Sequence, residues 1–230
     1  MSDGPFFIDA FRFVVVGVPA TLLLTVVIAV CALPLAIGLA LLRLSSIRLL
    51  SWVAGSYVAT MRSLPLLVLL FLVYYGLSQF PMLRESVVWP IIRDPFWCAA
   101  FVIALSSAAY GSEVVRGGLL SLPRGEIEAA RAFGLSGFLL ARRVIAPLAL
   151  RQALPAYGSE LILTLKATSL ASIITVNELT ARAVEMNDIT FRPFEVFAAA
   201  GVIYLFLNFL IAEGVRVVEK HVLRSQIGAR

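Results

Sequence analysis

Glu128-Ala129-Ala130-Arg131-Ala132-Phe133-Gly134 lies in a charged interval between two long apolar runs, and Val144-Ile145-Ala146-Pro147 begins ten residues after Gly134. The flanking runs are the material of membrane spans; this interval is not. Glu126 and Glu128 sit at its start, where a helix macrodipole favours acids. Pro123 and Gly125 break the chain before it. The pattern predicts a short helix over 126–133, with Gly134 just past its end. Ser136 can cap a second short helix reaching Ile145. Ala129, Ala130 and Ala132 keep the first helix thin, so another protein can approach it closely. Arg131, Arg142 and Arg143 supply anchoring charge. An amphipathic loop lying on lipid headgroups is the alternative from pattern alone.

The rest of the chain explains why such an interval stands out. Apolar residues make up 60% and charged residues 14%, far from soluble usage. Apolar runs long enough to cross a bilayer fall at about 13–42, 52–80, 96–120, 154–176 and 193–215. Pro19 and Pro34 are expected to bend the first, and Arg62-Ser63-Leu64-Pro65 interrupts the second. The expectation is an all-α polytopic membrane protein of about five transmembrane helices, a single domain over 1–230 with no internal repeat.

The net charge of +5 reads as topology, not as nucleic-acid affinity, because no basic run alternates with aromatics. One side collects Arg43, Arg48, Arg116, Arg124, Arg131, Arg142, Arg143, Arg151, Arg216, Lys220, Arg224 and Arg230. The other has Arg12, Arg84, Arg93, Arg182 and Arg192, largely matched by acids. The rich side is expected in the cytoplasm, which puts the N-terminus outside and the C-terminus inside. Asp3 and Asp9 and the length of the first run argue against a cleavable signal peptide. Cys31 and Cys98 read as buried free thiols, and His221 has no partner spacing for a metal.

Polar residues inside the spans need a reason, since charge in hydrocarbon costs about 3 kcal/mol or more. Glu160, Thr164, Thr168 and Ser172 recur every four residues and would form one helix face. Ser106, Tyr110 and Glu113 would share another. These faces read either as a solute path or as hydrogen bonding between helices and subunits. Glu160 and Glu113 read as functional, because a cationic solute needs a buried anion. Arg62 and Lys166 read as structural: Lys166 needs an acid or carbonyls from another segment, and Pro65 frees backbone carbonyls near Arg62. No nucleophile–base pair lies in the spans, and the two acids read as isolated, so no enzyme is expected.

The interval 126–147 resembles the EAA motif of prokaryotic ABC importer permeases: Glu-Ala-Ala, three residues, Gly, nine residues, Ile, any residue, Leu-Pro. Glu128-Ala129-Ala130 and Gly134 match at that spacing; Val144 replaces the Ile, and Ala146-Pro147 replaces Leu-Pro. Further runs are similar to the polar-amino-acid permeases. They are Arg62-Ser63-Leu64-Pro65, Tyr74-Tyr75-Gly76, Ala109-Tyr110-Gly111-Ser112-Glu113-Val114-Val115-Arg116-Gly117-Gly118, Pro123-Arg124-Gly125 and Lys166-Ala167-Thr168-Ser169-Leu170. Gly158-Ser159-Glu160 and Phe191-Arg192-Pro193-Phe194-Glu195 look most like the branch importing histidine, arginine, lysine, octopine and nopaline. Ser63-Leu64 departs from the Gly-Thr often found before that proline.

The resemblance implies a cytoplasmic coupling helix formed by Glu128, Ala129, Ala130, Arg131 and Gly134, docked on an ATPase. It implies a second permease subunit, a related but different chain rather than an identical one, two ATP-binding subunits and an extracytoplasmic solute-binding protein. It implies a bacterial inner membrane and a polar amino acid or opine as solute. Glu160, Thr164, Thr168, Glu113, Tyr110 and Ser169 are the expected solute-binding residues. No Gly-x4-Gly-Lys-Ser/Thr pattern is present, so this chain is expected to hold no cofactor and Mg-ATP is expected on the partner. The alternative is a passive channel or permease for small polar solutes with no ATPase.

Overall fold

The computed structural model describes residues 6–224, so Asp3 and Arg230 lie outside the described residues. The first run folds as α1 (Phe6–Val15) and α2 (Val18–Arg43). Together they make one candidate span. The chain breaks at Val16-Gly17, before Pro19, which sits in the first turn of α2 where a missing N–H costs nothing. Pro34 is carried inside a continuous α2.

The second run turns a corner. α3 (Arg48–Ser63) and α4 (Leu66–Phe71) meet where Leu64 is extended at φ −90°, ψ 133°, the region imposed on a residue before proline. A π turn (Leu72–Gly76) and a 3-10 turn (Leu77–Gln79) prolong α4, and the two arms stand 102° apart. Two short helices, α5 (Pro81–Arg84) and α6 (Trp89–Arg93), form the next connection. α7 (Pro95–Leu120) starts at Asp94, whose carboxylate accepts from the Trp97 N–H at 3.1 Å.

After α8 (Arg124–Ala132) comes a correction to the sequence reading. The second loop helix does not stop at Ile145. α9 (Gly137–Leu140) runs through a π turn (Ala141–Ile145) into α10 (Ala146–Ala167) and a 3-10 segment (Thr168–Ile174). Pro147 has no N–H to give the preceding turn, and a widened turn absorbs the gap. The fourth helical arm therefore starts well before 154. The polar connector that follows is itself a helix, α11 (Leu179–Thr190), set at 49° to that arm. α12 (Pro193–Arg224) ends the described chain. Counting each bent pair as one crossing gives five spans.

α7 is the hub: its most apolar window is 61% buried, against 28% for the first and last spans. α2 runs parallel to it, with Ala36 beside Gly111 and Arg43 beside Glu113. α10 runs antiparallel, with Thr164 at Ser107 and Ala153 at Gly118. α12 is antiparallel to α10 in turn, with Val215 at Gly158 and Tyr204 at Glu178. The C-terminal ends of α2, α7 and α12 therefore share one end of the bundle, and the basic groups at Arg43, Arg116 and Arg216 collect there. One core joins α2, α4, α7 and the 3-10 segment through Leu24, Ile28, Leu70, Ile103 and Ile174. A second joins α1, α10, α11 and α12 through Val14, Leu165, Leu179 and Val196. The outer spans leave Leu23, Val26, Val30, Leu205 and Phe209 exposed, as lipid or a second subunit requires. Both thiols are free; Cys98 is buried, but Cys31 is exposed on this outer face, correcting its expected burial.

Candidate functional site

α8 stands outside the bundle, with no buried residue. Its nine residues are fewer than the roughly 12–15 an isolated helix needs, so its ends matter. Glu126 occupies the first turn and Arg131 the last, each at the favoured pole. The C-terminus closes as a Schellman motif: the Gly134 N–H donates to Arg131 C=O at 2.9 Å and the Leu135 N–H to Ala130 C=O at 3.1 Å. Gly134 has φ +83°, a left-handed conformation that a side chain resists. Nothing lies within 4 Å of where its Cβ would be, so backbone strain, not crowding, demands glycine here.

Glu128, Ala129, Arg131 and Gly134 are exposed and Ala130 is partly covered. Two residues not singled out from sequence join them: Phe133 is 88% and Phe138 79% exposed. Two large apolar side chains flanking a glycine in a charged interval were a legible signal. Ser136 takes the N-cap position of α9, but its side chain makes no capping bond, contrary to expectation. The arrangement is a pre-shaped, small-residue knob with aromatic ends, continuous with α10 through α9.

The polar residues of the spans sort into three kinds. Glu113 is not isolated: Arg43 pairs with it from α2, and the Arg116 guanidinium donates to it at 2.8 Å from the next turn of α7. It is thus a neutralised acid, better suited to joining α2 to α7 than to receiving a solute. Thr164 is buried, with its hydroxyl 3.3 Å from that of Ser107. Thr168 is fully buried and donates to Leu165 C=O at 2.7 Å, and Ser169 donates to Lys166 C=O at 2.7 Å. The four-residue stripe ends there, because the backbone becomes 3-10 from Thr168 and Ser172 leaves the register. Ser106 is buried while Tyr110 is exposed, so their expected shared face is divided between core and surface.

Glu160 is the third kind. It is half-buried and accepts no hydrogen bond among the described residues. Tyr157 lies beside it, and the Arg62 charge is near enough to attract it without a direct ion pair. Arg62 is exposed at the α3–α4 corner, its guanidinium 5.2 Å from the centre of the Tyr110 ring. The Tyr110 hydroxyl donates to Arg62 C=O at 3.4 Å. Lys166 is exposed and makes no ion pair among the described residues. Tyr110 and Arg62 thus meet on the accessible side of α7, with the half-buried Glu160 in their vicinity, whereas Thr164 and Thr168 are buried.

A third acid, Glu178, was missed from sequence. Glu178 caps α11 and is completely buried. Its carboxylate accepts from the Ala181 N–H at 2.8 Å, the Tyr204 hydroxyl at 2.9 Å and the Thr21 hydroxyl at 3.4 Å. Thr21 in turn accepts from the Leu179 N–H at 3.1 Å. The break between α1 and α2 and the break before α11 thereby lock together. A Cβ on Gly17 would come within 2.6 Å of the Leu179 backbone, so this junction needs glycine for close approach.

The comparisons with known proteins agree with this geometry. Residues 32–224 match the family described as "Binding-protein-dependent transport system inner membrane component". The octopine transport system permease protein OccM of Rhizobium meliloti is 47% identical over 95% of this chain and 90% of its own length. The nopaline transport system permease protein NocM of Agrobacterium fabrum is 45% identical over 94% and 90%. The histidine/lysine/arginine/ornithine permease HisM of Escherichia coli K12 is 36% identical over 94% and 90%. A chain in the crystal structure of an amino acid ABC transporter with histidines superposes with a TM-score of 0.82 at 30% identity, over 96% of this chain and 99% of that one. A five-span bundle with an exposed interval between its third and fourth spans, matched over nearly its whole length by these relatives, belongs to the binding-protein-dependent transport system inner membrane component family, as a permease subunit of an ABC importer.

Proposed function

We propose that this permease carries cationic amino acids or opines inward, driven by ATP bound and hydrolysed on two partner subunits, and performs no covalent chemistry itself. The observation that carries the reading is α8. It is a closed helix with no buried residue that ends in Phe133 and joins the transmembrane arm carrying Glu160. A knob of this kind transmits motion when an ATPase grips it: closure of the ATPases pulls α8, and α9 and α10 follow. The bundle then shifts between outward and inward access, by population shift between two states that ATP binds unequally. Mg-ATP is the only cofactor and resides on the partner.

The remaining assignments follow the same logic. The end holding Arg43, Arg116, α8 and Arg216 is cytoplasmic by its positive charge, with the N-terminus outside and the C-terminus inside. The weakly buried first and last spans suit a second permease, a related but different chain. An extracytoplasmic binding protein delivers the solute. Glu160 receives its positive side chain, since a half-buried carboxylate without a donor is a costly group that a guest cation relieves. Tyr110 is an accessible candidate contact on α7, while Thr164, Thr168 and Ser169 hold the helix that presents Glu160.

Glu128→Arg and Phe133→Asp in the complete transporter test the coupling role. Both variants should insert normally, lose co-purification with the ATPase and reduce ATP-driven uptake at least about tenfold, equivalent to 1.4 kcal/mol of docking free energy. Wild-type recruitment and uptake in both variants, or undiminished flux after ATP depletion, contradicts it.

A further inference from the structure

We propose that the corner between α6 and α7 seats the headgroup of a zwitterionic aminophospholipid, with Arg93 on its phosphate and Asp94 on its ammonium group. The corner lies at the end of α7 away from the Arg43, Glu113 and Arg116 cluster. Pro90, Ile91, Arg93, Asp94, Pro95 and Trp97 line an open-sided recess of about 620 Å³ there. That volume is in the ordinary range of small-ligand sites. Pro90 and Pro95 stand in the first turns of α6 and α7, and their fixed φ holds the corner in shape. Ile92 is buried and pins α6 to the bundle. The recess is therefore built before any guest arrives.

Depth, direction and charge select this occupant. α7 has 26 residues, about 39 Å of helix against a hydrocarbon layer of about 30 Å, so its first turn stands at headgroup level. Trp97 in that turn is 51% exposed, as an interfacial tryptophan is. Phe101, also exposed, lies one turn deeper and about 40° around from Trp97, and offers an acyl chain an apolar surface. Tyr110 is about 180° around from Phe101, so this face of α7 is not the one that meets Arg62. Arg93 makes no ion pair among the described residues, not even with the adjacent Asp94. Asp94 spends one oxygen on the Trp97 N–H and keeps the other. Charges at a membrane boundary, where the medium screens less than bulk water, draw counter-charges strongly. A phosphate presents oxygens to the fork of a guanidinium, and a primary ammonium presents three N–H donors to a carboxylate. Phosphoethanolamine carries both groups on one head. A phosphoglycerol head would leave Asp94 unmatched, and a phosphocholine head has no N–H to donate.

The test is native mass spectrometry of the complete purified transporter, equilibrated with equal amounts of phosphatidylethanolamine, phosphatidylcholine and phosphatidylglycerol of one acyl composition. The wild-type complex should retain phosphatidylethanolamine over either other lipid by about fivefold or more. Arg93→Gln should lower retention of all three, because they share the phosphate. Asp94→Asn keeps a side chain able to cap α7. It should bring phosphatidylethanolamine down to the level of phosphatidylcholine and leave the other two unchanged. Both variants should still co-purify with the ATPase, since the recess is remote from α8. If Arg93→Gln does not assemble, the loss of headgroup preference in Asp94→Asn decides alone. Equal retention of the three lipids by the wild-type complex, or the wild-type preference persisting in Asp94→Asn, overturns the proposal. An unchanged lipid profile in Arg93→Gln, with weaker capture of the solute-binding protein, assigns the recess to that protein and overturns it as well.

Discussion

Glu160 and Glu178 lie on the same bent arm, yet they occupy opposite environments. Glu178 is completely buried and takes hydrogen bonds from α2, α11 and α12. Glu160 is half-buried and takes none among the described residues. Burial with saturated acceptors marks an acid that holds the fold together. Partial burial with open acceptors is the environment that the proposed cation site requires. Glu113 stands between them, neutralised by two arginines at a helix–helix seam.

That contrast can be broken at its strongest point first. Glu178→Ala leaves the Ala181 N–H without its side-chain acceptor, at about 1–3 kcal/mol, and empties a fully buried site, while the Thr21 and Tyr204 hydroxyls fall back on Gly17 C=O and Thr180. Thermal unfolding of the detergent-purified protein should show the largest loss of this set, with reduced membrane yield. Gly17→Ala strikes the same junction from the other side. Its new methyl would meet the Leu179 backbone at 2.6 Å, and overpacking of this kind costs about 1–3 kcal/mol. The same melt should register it, somewhat below Glu178→Ala. Glu160→Gln should lie within about 0.5 kcal/mol of wild type, because no hydrogen bond is removed. A Glu160 variant that melts like the Glu178 variant would erase the distinction.

The elements that sequence could deliver were local ones. Five apolar runs, the proline corner at Leu64-Pro65 and the Gly134 helix end each follow from residues adjacent in the chain. What escaped was built from distant residues or from departures from ideal geometry. Thr21 and Tyr204 reach Glu178 from the first and last spans, so nothing near Glu178 announces a buried cap. Arg43 meets Glu113 only because α2 and α7 run parallel. The stripe from Glu160 to Ser172 assumed an α-helical period throughout, and the 3-10 turn at Thr168 broke it. The π turn before Pro147 hid the continuity of α9 with α10. Among the solute candidates, Glu160 and Tyr110 stay accessible, while Thr164 and Thr168 are buried, a division that spacing alone could not make.

ATP-driven uptake by the complete transporter in proteoliposomes, comparing Glu160→Gln with wild type on arginine and on a neutral amino acid that the binding protein also delivers, puts the account to its most direct test. The account predicts a loss of arginine uptake of tenfold or more, little change for the neutral solute, and an intact complex with normal ATPase recruitment. An unchanged preference for arginine in that variant would contradict it and place the cation site on another subunit.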